Sequence, residues 1–585
     1  MQMRTVIQFI FVLAVFIEGL FAQQSREFTP SSLKAMGAPN NPKVEIAWNR
    51  YYDYEQLIEI MKRMEKAYPN LVKLISIGKS VEGKEMWMIV VSNRTNSNPD
   101  EKPAMYIDGN IHSNEIQGAE VSLYTAWYCT ELYNEIPWIK QLLDEKTLYI
   151  LPTINPDARD YFIHKPNNMH SPRTGLSKRD DDGDGEYDED GYDDLDGDGN
   201  IVMMRIKDPN GRWKVDPDDP RLMVQAKADE KGDYSILGWE GYDNDGDGLV
   251  NEDGPGFYDP NRDWGWNWAP RYVQYGADKY PFVQPENRSV KDFFLSHENI
   301  AAAQSFHNNG GMILRGPGAK NDENTYSRPD IRTYDYLGKL GEEQLPGYKY
   351  MVIWSDLYTV YGGEIDWFYG ARGILTFSNE LWSEYDYFRR VKDTTREVTE
   401  NDLYRFDKIL LMNEGIVPWH KVNHPQYGEI EIGGPKKAWT RTAPSFMIED
   451  MCHRNMAFAL FNLYNTPKVS VDSIYTKKLP GGLMEITAIV SNDRVIPTHT
   501  FQDSKNKITR PDIVSITGGK VIAGGVLQNR LLGIMQEQKR NPQEIELDNI
   551  PGMGSMSVRW IVDGNGPYTV AVVSEKGGRA KKILR

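Results

Sequence analysis

Cysteine is nearly absent: the chain of 585 residues has two, Cys129 and Cys452. That count excludes a fold stapled by disulfides, because small secreted scaffolds need several bridges. Each cysteine lies in a stretch with helical apolar spacing, so two buried free thiols are expected. Positive charge is also in deficit, with 67 Lys and Arg against 84 Asp and Glu and a net charge of −17. A nucleic-acid partner is therefore disfavoured. Long apolar runs are missing beyond the N-terminus. The run at 5–17 follows Arg4 and is short for a membrane span of ~20 residues. It fits a secretory signal over 1–22 with cleavage near Ala22, a membrane anchor being the alternative. A secreted or periplasmic protein without a stable membrane anchor is expected. What is plentiful excludes disorder: 15 Trp, 33 Tyr and 40% apolar residues allow a large core.

The length allows roughly two to four domains. Apolar residues at Leu57, Ile58, Ile60, Met61 and Met64 predict a helix over 51–68. Strand-like runs at 74–77, 85–91, 104–108 and 147–151 alternate with a helical pattern over 116–132. This alternation indicates an α/β domain, a mixed sheet flanked by helices, over 45–465. Residues 171–256 interrupt it with an acidic, glycine-rich insertion. The alternation resumes over 289–304 and 373–381, and helices are expected over 402–413 and 445–464. Beyond Pro467, β-branched runs at 468–475, 484–491 and 568–574 predict an all-β, sandwich-like domain over 466–585.

Two stretches carry chemistry: His112-Ser-Asn-Glu115, on an expected strand-to-helix loop, and His307 in Gln-Ser-Phe-His. Two imidazoles and one carboxylate make a three-ligand zinc site with its fourth position open to water. That ligand count belongs to catalytic zinc, and water at such an ion becomes a nucleophile near neutral pH. A lone His-x-x-Glu pair is a weak signal, equally at home on a surface loop.

Further motifs follow in a fixed order: Asn155-Pro-Asp157, Asp259-Pro-Asn261-Arg262-Asp-Trp264, Ser305-Phe-His307, Gly362-Gly-Glu-Ile-Asp-Trp367 and Thr376-Phe-Ser-Asn-Glu380. With Gly109-Asn-Ile-His112-Ser-Asn-Glu115, and with 77–83 matching an early strand turn, residues 50–465 resemble the zinc metallocarboxypeptidase family of carboxypeptidase A type. The resemblance implies that His112, Glu115 and His307 hold zinc and that Glu380 is the general base. It implies that Asn261 and Arg262 grip a substrate's terminal carboxylate, a task suited to a planar guanidinium. Tyr358 resembles the mobile tyrosine that closes over the bound residue. Asp259 resembles a residue that orients a zinc histidine, though a turn-forming Asp before Pro260 is an equal reading. An arginine should stabilise the oxyanion; Arg205 is the candidate, with Arg173 or Arg212 as alternatives because the insertion obscures the alignment. Ile365 stands where the side-chain pocket is floored, pointing to an apolar terminal residue, while Glu364 beside it would recruit a basic one. Asn114, and Asn308-Asn309 after His307, depart from the family pattern at substrate subsites.

The insertion repeats a spacing. Asp180-x-Asp182-x-Asp184-Gly185 is followed by Asp188-Glu189-Asp190, and Asp243-x-Asp245-x-Asp247-Gly248 by Asn251-Glu252-Asp253; Asp194, Asp196 and Asp198 make a shorter third copy. Alternate carboxylates with glycine at position six are how calcium loops wrap their ion. Position twelve is Gly191 or Gly254, not Glu, so calcium loops without flanking helices are expected. The whole sequence then reads as a secreted zinc carboxypeptidase acting on peptide or protein C-termini, with structural calcium. The alternatives are a cell-wall hydrolase for D- or γ-linked peptides and a catalytically silent calcium-dependent binding protein.

Overall fold

The computed structural model describes residues 35–39, 41–181, 183–256, 258–383, 387–388, 398–439 and 441–584. The expected signal segment and Asp182 lie outside these. Met1–Glu45 and Ile46–Arg585 are separate units, and the second is one compact body. It opens with α1 (Tyr54–Ala67), capped by Asp53, whose side chain accepts from the Gln56 N–H while Gln56 returns the bond. Its Leu57, Ile58, Ile60, Met61 and Met64 are buried, as their spacing predicts.

The main sheet is built from β1 (Val72–Lys79), β2 (Glu85–Val91), β3 (Ala104–Gly109) and β4 (Thr147–Leu151), with α2 (Gln117–Glu131) between the last two. The insertion follows, with β5 (Met203–Lys207), β6 (Trp213–Val215), β7 (Met223–Gln225) and β8 (Tyr234–Trp239). The main sheet then resumes with β9 (Ile300–Asn308), β10 (Met312–Arg315), β11 (Lys349–Val352) and β12 (Leu375–Leu381), giving the order β1-β2-β4-β3-β9-β12-β10-β11. Strands β4, β3, β9 and β12 are mutually parallel. Every residue of β3, β4 and β9 is buried, so both faces of the sheet are covered, and β3 and β9 open on apolar runs before turning polar toward their carboxyl ends. On one face Tyr106, Phe293, Phe294, Trp264 and Phe368 fill a core. Against the other packs α2, buried along its whole length, which holds Cys129. Cys452 lies in the helix Ile448–Tyr464; both thiols are free and buried, and burial pushes that of Cys129 up to about 12.

The acidic insertion is a structural layer. Strands β5 to β8 join a hairpin from far along the chain, β13 (Ile416–His424) and β14 (Gly428–Pro435), in a six-stranded sheet ordered β13-β14-β5-β8-β6-β7. Beyond residue 468, a five-stranded and a four-stranded sheet enclose a core of Ile486, Val490, Val514, Ile516, Trp560, Val570 and Val572. No helix among the described residues is long and apolar enough to cross a membrane.

Candidate active site

Ligand sites of open α/β sheets lie beyond the carboxyl ends of parallel strands, and the candidate residues gather there. Strands β9 and β12 pair in parallel with His307 opposite Glu380. Strand β3 ends at Gly109, beside Phe306, and the chain turns through Asn110, at φ 57°, into the loop that carries His112 and Glu115. Asn110 holds that loop: its Nδ2 donates to the carbonyls of His112 (2.7 Å) and Ser113 (3.1 Å). Its Oδ1 accepts from Arg159 Nη1 at 3.1 Å. Arg159 is wholly buried, paired with Glu120 at 2.7 Å, and donates to the Ile116 carbonyl at 2.8 Å. Asn155 ties the same loop to the next one, donating to the carbonyls of Ile111 (3.3 Å) and Thr174 (3.1 Å). Neither Asn110 nor Arg159 was expected as a site residue. Asn110 lies inside one of the ordered motifs, Gly-Asn-Ile-His, while Arg159 lies two residues beyond another, Asn155-Pro-Asp157.

The three expected metal ligands converge. His112 Nδ1 lies 3.0 Å from Glu115 Oε1, and His307 Nδ1 lies 2.9 Å from Glu115 Oε2 and 3.2 Å from His112 Nδ1. All three side chains are buried. Asp259 Oδ1 stands 2.9 Å from His112 Nε2. A proton held on Nε2 by that carboxylate leaves the Nδ1 lone pair facing Glu115 and His307. Two imidazole nitrogens and a carboxylate oxygen, enclosed and within one ion's reach of each other, fit zinc in kind and number. Burial works against the Glu115 anion, but His112 and His307 outweigh it and hold its pKa well below the ordinary value. Asp259 is likewise held low despite burial, by Arg262, His112 and Arg173. Glu380 is shifted the other way, raised by burial and then by the Glu115 charge.

Arg205 is not at this site. It sits on β5 opposite Glu431, paired with that carboxylate at 2.7 Å and stacked between Tyr234 and Trp419. Its cation–π and ionic partners fix it in the insertion's sheet. Arg173 takes the place instead: its Nη2 is 3.4 Å from both ring nitrogens of His112, and its Nε is 3.8 Å from Asp259 Oδ2. The other candidate residues do converge. Asn261 Nδ2 is 3.4 Å from His307 Nε2, and Asn261 Oδ1 accepts from the Glu364 N–H at 2.8 Å. Arg262 Nη1 donates to Asn261 O at 2.7 Å and lies 3.6 Å from Asp259 Oδ2.

A small cleft lined by His112, Arg173, Arg262, His307, Ile365 and Glu380 is closed on one side by Tyr358, which is 55% exposed. Glu364 reaches the cleft wall but is fully buried, and its Oε2 accepts from Ser305 Oγ at 3.0 Å. Burial, and then the neighbouring Asp108 carboxyl, raise its pKa well above the ordinary value. Asn114 turns away from the cleft and donates to Met169 O at 3.2 Å. Beside the cleft opens a cavity of 440 Å³ between Arg173, Arg262 and Tyr358 on one side and Gly191, Tyr192 and Pro255 of the insertion on the other.

Known proteins share similarity with both parts of the chain. Residues 57–186 and 248–404 match the zinc carboxypeptidase family, the gap between them falling in the insertion, and residues 468–585 match a domain of unknown function. The chain is 31% identical over 136 residues to carboxypeptidase D of Rattus norvegicus, covering 23% of this chain and 10% of that protein. It is 36% identical over 109 residues to carboxypeptidase Z of Mus musculus, covering 18% of this chain and 17% of that protein. The aligned segments thus span well under a quarter of these curated relatives. Among solved structures it is similar to the carboxypeptidase A of Helicoverpa armigera, at 18% identity and a TM-score of 0.40, over 58% of this chain and 67% of that one. With its matched motifs and the ligand set they bring together, the chain belongs to the zinc metallocarboxypeptidase family.

Proposed function

We propose that the chain removes the C-terminal residue of peptides or proteins. The observation that carries this reading is the convergence of His112, Glu115 and His307 beside Glu380, with Arg262 across the same cleft. His112, Glu115 and His307 would hold zinc, which when bound would supply Lewis acidity for water and for the substrate carbonyl. The remaining work belongs to the protein. Arg262 binds the substrate's terminal carboxylate, with Asn261 beside it, which sets the cleaved bond one residue from the end. Tyr358 folds over the bound residue and excludes water. Glu380 takes the proton of the attacking water and delivers it to the leaving nitrogen, and its raised pKa suits a group that must both accept and donate. Arg173 donates to the oxyanion of the tetrahedral intermediate. Asp259 keeps the His112 proton on Nε2.

The terminal residue is apolar on this reading. Ile365 and Leu314 face the cleft, and Glu364, bonded to Ser305 and driven toward its neutral form, offers no free anion to a basic side chain. Residues 1–22 direct the chain to secretion or the periplasm, and calcium holds the acidic loops. A panel of peptides ending in Phe, Leu, Lys or Arg, each as free acid and amide and joined by D- and γ-linked muropeptides, tests the reading. Release of Phe or Leu from free acids alone is expected, and loss of it on zinc removal. Cleavage of amides at internal bonds, or of muropeptides only, would overturn it.

A further inference from the structure

The two acidic loops are separate in sequence, each with its own carboxylates, but not in space. Their tails run antiparallel, Asp190 against Asp253, with the Asp190 N–H donating to Asp253 O at 3.1 Å. The Asn251 N–H donates to Asp190 Oδ2 at 3.1 Å and Asn244 Nδ2 to Asp190 Oδ1 at 3.2 Å. This pairing crosses the carboxylates between loops. Asp184 and Glu189 of the first loop converge with Asp245 of the second, and Asp190 of the first converges with Asp245 and Glu252 of the second. In each group the oxygens lie within 4.8 Å of one another. The tails repeat the exchange, since the Asp253 carboxyl meets that of Glu189 as the Asp190 carboxyl meets that of Glu252.

Acidic loops are common on protein surfaces, where carboxylates turn out into water. These turn inward. Asp190 and Asp253 are 0% and 1% exposed. Both carboxylate oxygens of Asp253, Glu189 Oε2 and Glu252 Oε2 are enclosed without a hydrogen-bond partner. Arg179 and Arg271, the cations at hand, pair with Asp181. Among the described residues, Glu189, Asp190, Asp245, Glu252 and Asp253 have no lysine or arginine partner. Buried carboxylates facing each other are strongly unfavourable unless a cation neutralises them. An all-oxygen set on loops wrapped at glycines of positive φ, Gly185 and Gly248, suits the large, irregular shell of calcium better than octahedral magnesium.

We propose that the two loops form one calcium clamp with crossed ligands: one ion held by Asp184, Glu189, Asp245 and Asp253, the other by Asp243, Asp245, Asp247, Glu252 and Asp190. The proposal rests on the calcium reading of the loops and deepens it; the peptidase reading stands apart from it. The clamp has a consequence for the cleft. Gly191, Tyr192, Gly254 and Pro255 follow directly on the crossed tails and form the insertion's wall of the 440 Å³ cavity facing Arg173 and Tyr358. Calcium therefore fixes the surface over which the rest of the substrate lies, so it governs substrate affinity and leaves the chemical step alone.

The test uses the full-length, zinc-loaded protein, stripped of calcium with EGTA, with zinc retention checked by metal analysis. Calorimetric titration with calcium chloride is expected to show two ions. Asp190→Asn, in the first loop, and Glu252→Gln, in the second, should each weaken the same single ion by about tenfold or more, and Asp245→Asn should weaken both. Calcium removal should raise KM for a peptide several-fold with kcat little changed. No calcium binding at all would remove the calcium reading with the clamp. Two ions of which the second loop's is untouched by Asp190→Asn would overturn the crossing and leave independent loops. Asp245→Asn, on an exposed side chain, decides the matter if Asp190→Asn fails to fold, since weakening of one ion alone would also overturn the crossing. An unchanged KM would overturn the role assigned to the cavity wall. Neither of the last two results bears on hydrolysis by the zinc-loaded protein.

Discussion

Glu380 and His307 are neighbours across a parallel strand pair, yet the proposed function gives them opposite roles: His307 would bind the ion, and Glu380 would stay off it and move a proton. Glu380→Gln keeps the shape and removes the base. Activity is expected to fall by about 10²–10⁴-fold with zinc content unchanged, read as kcat beside metal analysis; loss of the zinc would make Glu380 a ligand instead. Asp259 acts through His112, to which its carboxylate holds at 2.9 Å. Asp259→Asn should weaken zinc binding by about 10–100-fold, and competition with a chelator would measure it. At this scale much was legible. His112, Glu115, His307 and Glu380 sit in short motifs whose spacing is set by one loop and two strand ends, and an insertion elsewhere cannot disturb them. The arginine proposed for the oxyanion, Arg173, stood only as an alternative to Arg205, because it lies where 171–256 interrupts the pattern. Arg205 is held away from the site by Glu431, a partner supplied from a distant part of the chain.

At the level of elements, the site depends on how closely α2 approaches the ends of β3 and β9. A Cβ on Gly118 would lie 2.8 Å from the Phe306 carbonyl oxygen, and one on Gly109 2.6 Å from the Gly118 carbonyl carbon. Both neighbours are backbone, so no side chain can yield. The absent methyl groups let the helix start press against the strand that carries His307, which brings Glu115 within 2.9 Å of it. Gly118→Ala is therefore expected to cost about 1–3 kcal/mol of stability and to lower zinc affinity as well. Thermal unfolding with and without added zinc would show both effects; a variant as stable and as tightly loaded as the parent would contradict the close-approach argument. The elements of the main sheet were legible, since β3, β4 and β9 carry apolar stretches buried on both faces and α1 keeps a helical apolar spacing. The sheet of the insertion was not. Strands β6 and β8 are only half-buried throughout, so no alternation marks them, and β13 and β14 fall between two helical patterns, in a stretch for which no element was expected.

Across the whole molecule, the all-β part is locked to the α/β part through a buried charged knot. Thr500 Oγ1 donates to Gly373 O at 2.8 Å and Gln502 Nε2 to Gly370 O at 2.7 Å, anchoring the helix Phe501–Asn506 on the chain between the cleft-lining helix Glu364–Gly370 and β12. Beneath it His499 lies between Asp503 (3.1 Å) and Asp512 (3.2 Å), with Lys576 on Asp503 at 2.7 Å. The β-branched runs after Pro467 announced two sheets but not this knot, whose members are scattered over 499–576 and meet only in the folded chain. Burial alone would lower the His499 pKa, but the two carboxylates raise it to about 9. The folded protein thus binds this proton more tightly than the unfolded chain, whose histidine titrates near 6.5. The resulting stabilisation is whole below about pH 6.5 and is lost as pH rises through about 9, an amount of roughly 3 kcal/mol. His499→Gln keeps a hydrogen-bonding side chain but no proton to lose, so the parent's advantage over this variant should shrink steadily from pH 6.5 to 9.5. Denaturant unfolding of both proteins across that range measures it. A gap that stays constant with pH would mean that His499 is neutral in the folded protein and that its two carboxylates are balanced by Lys576 alone.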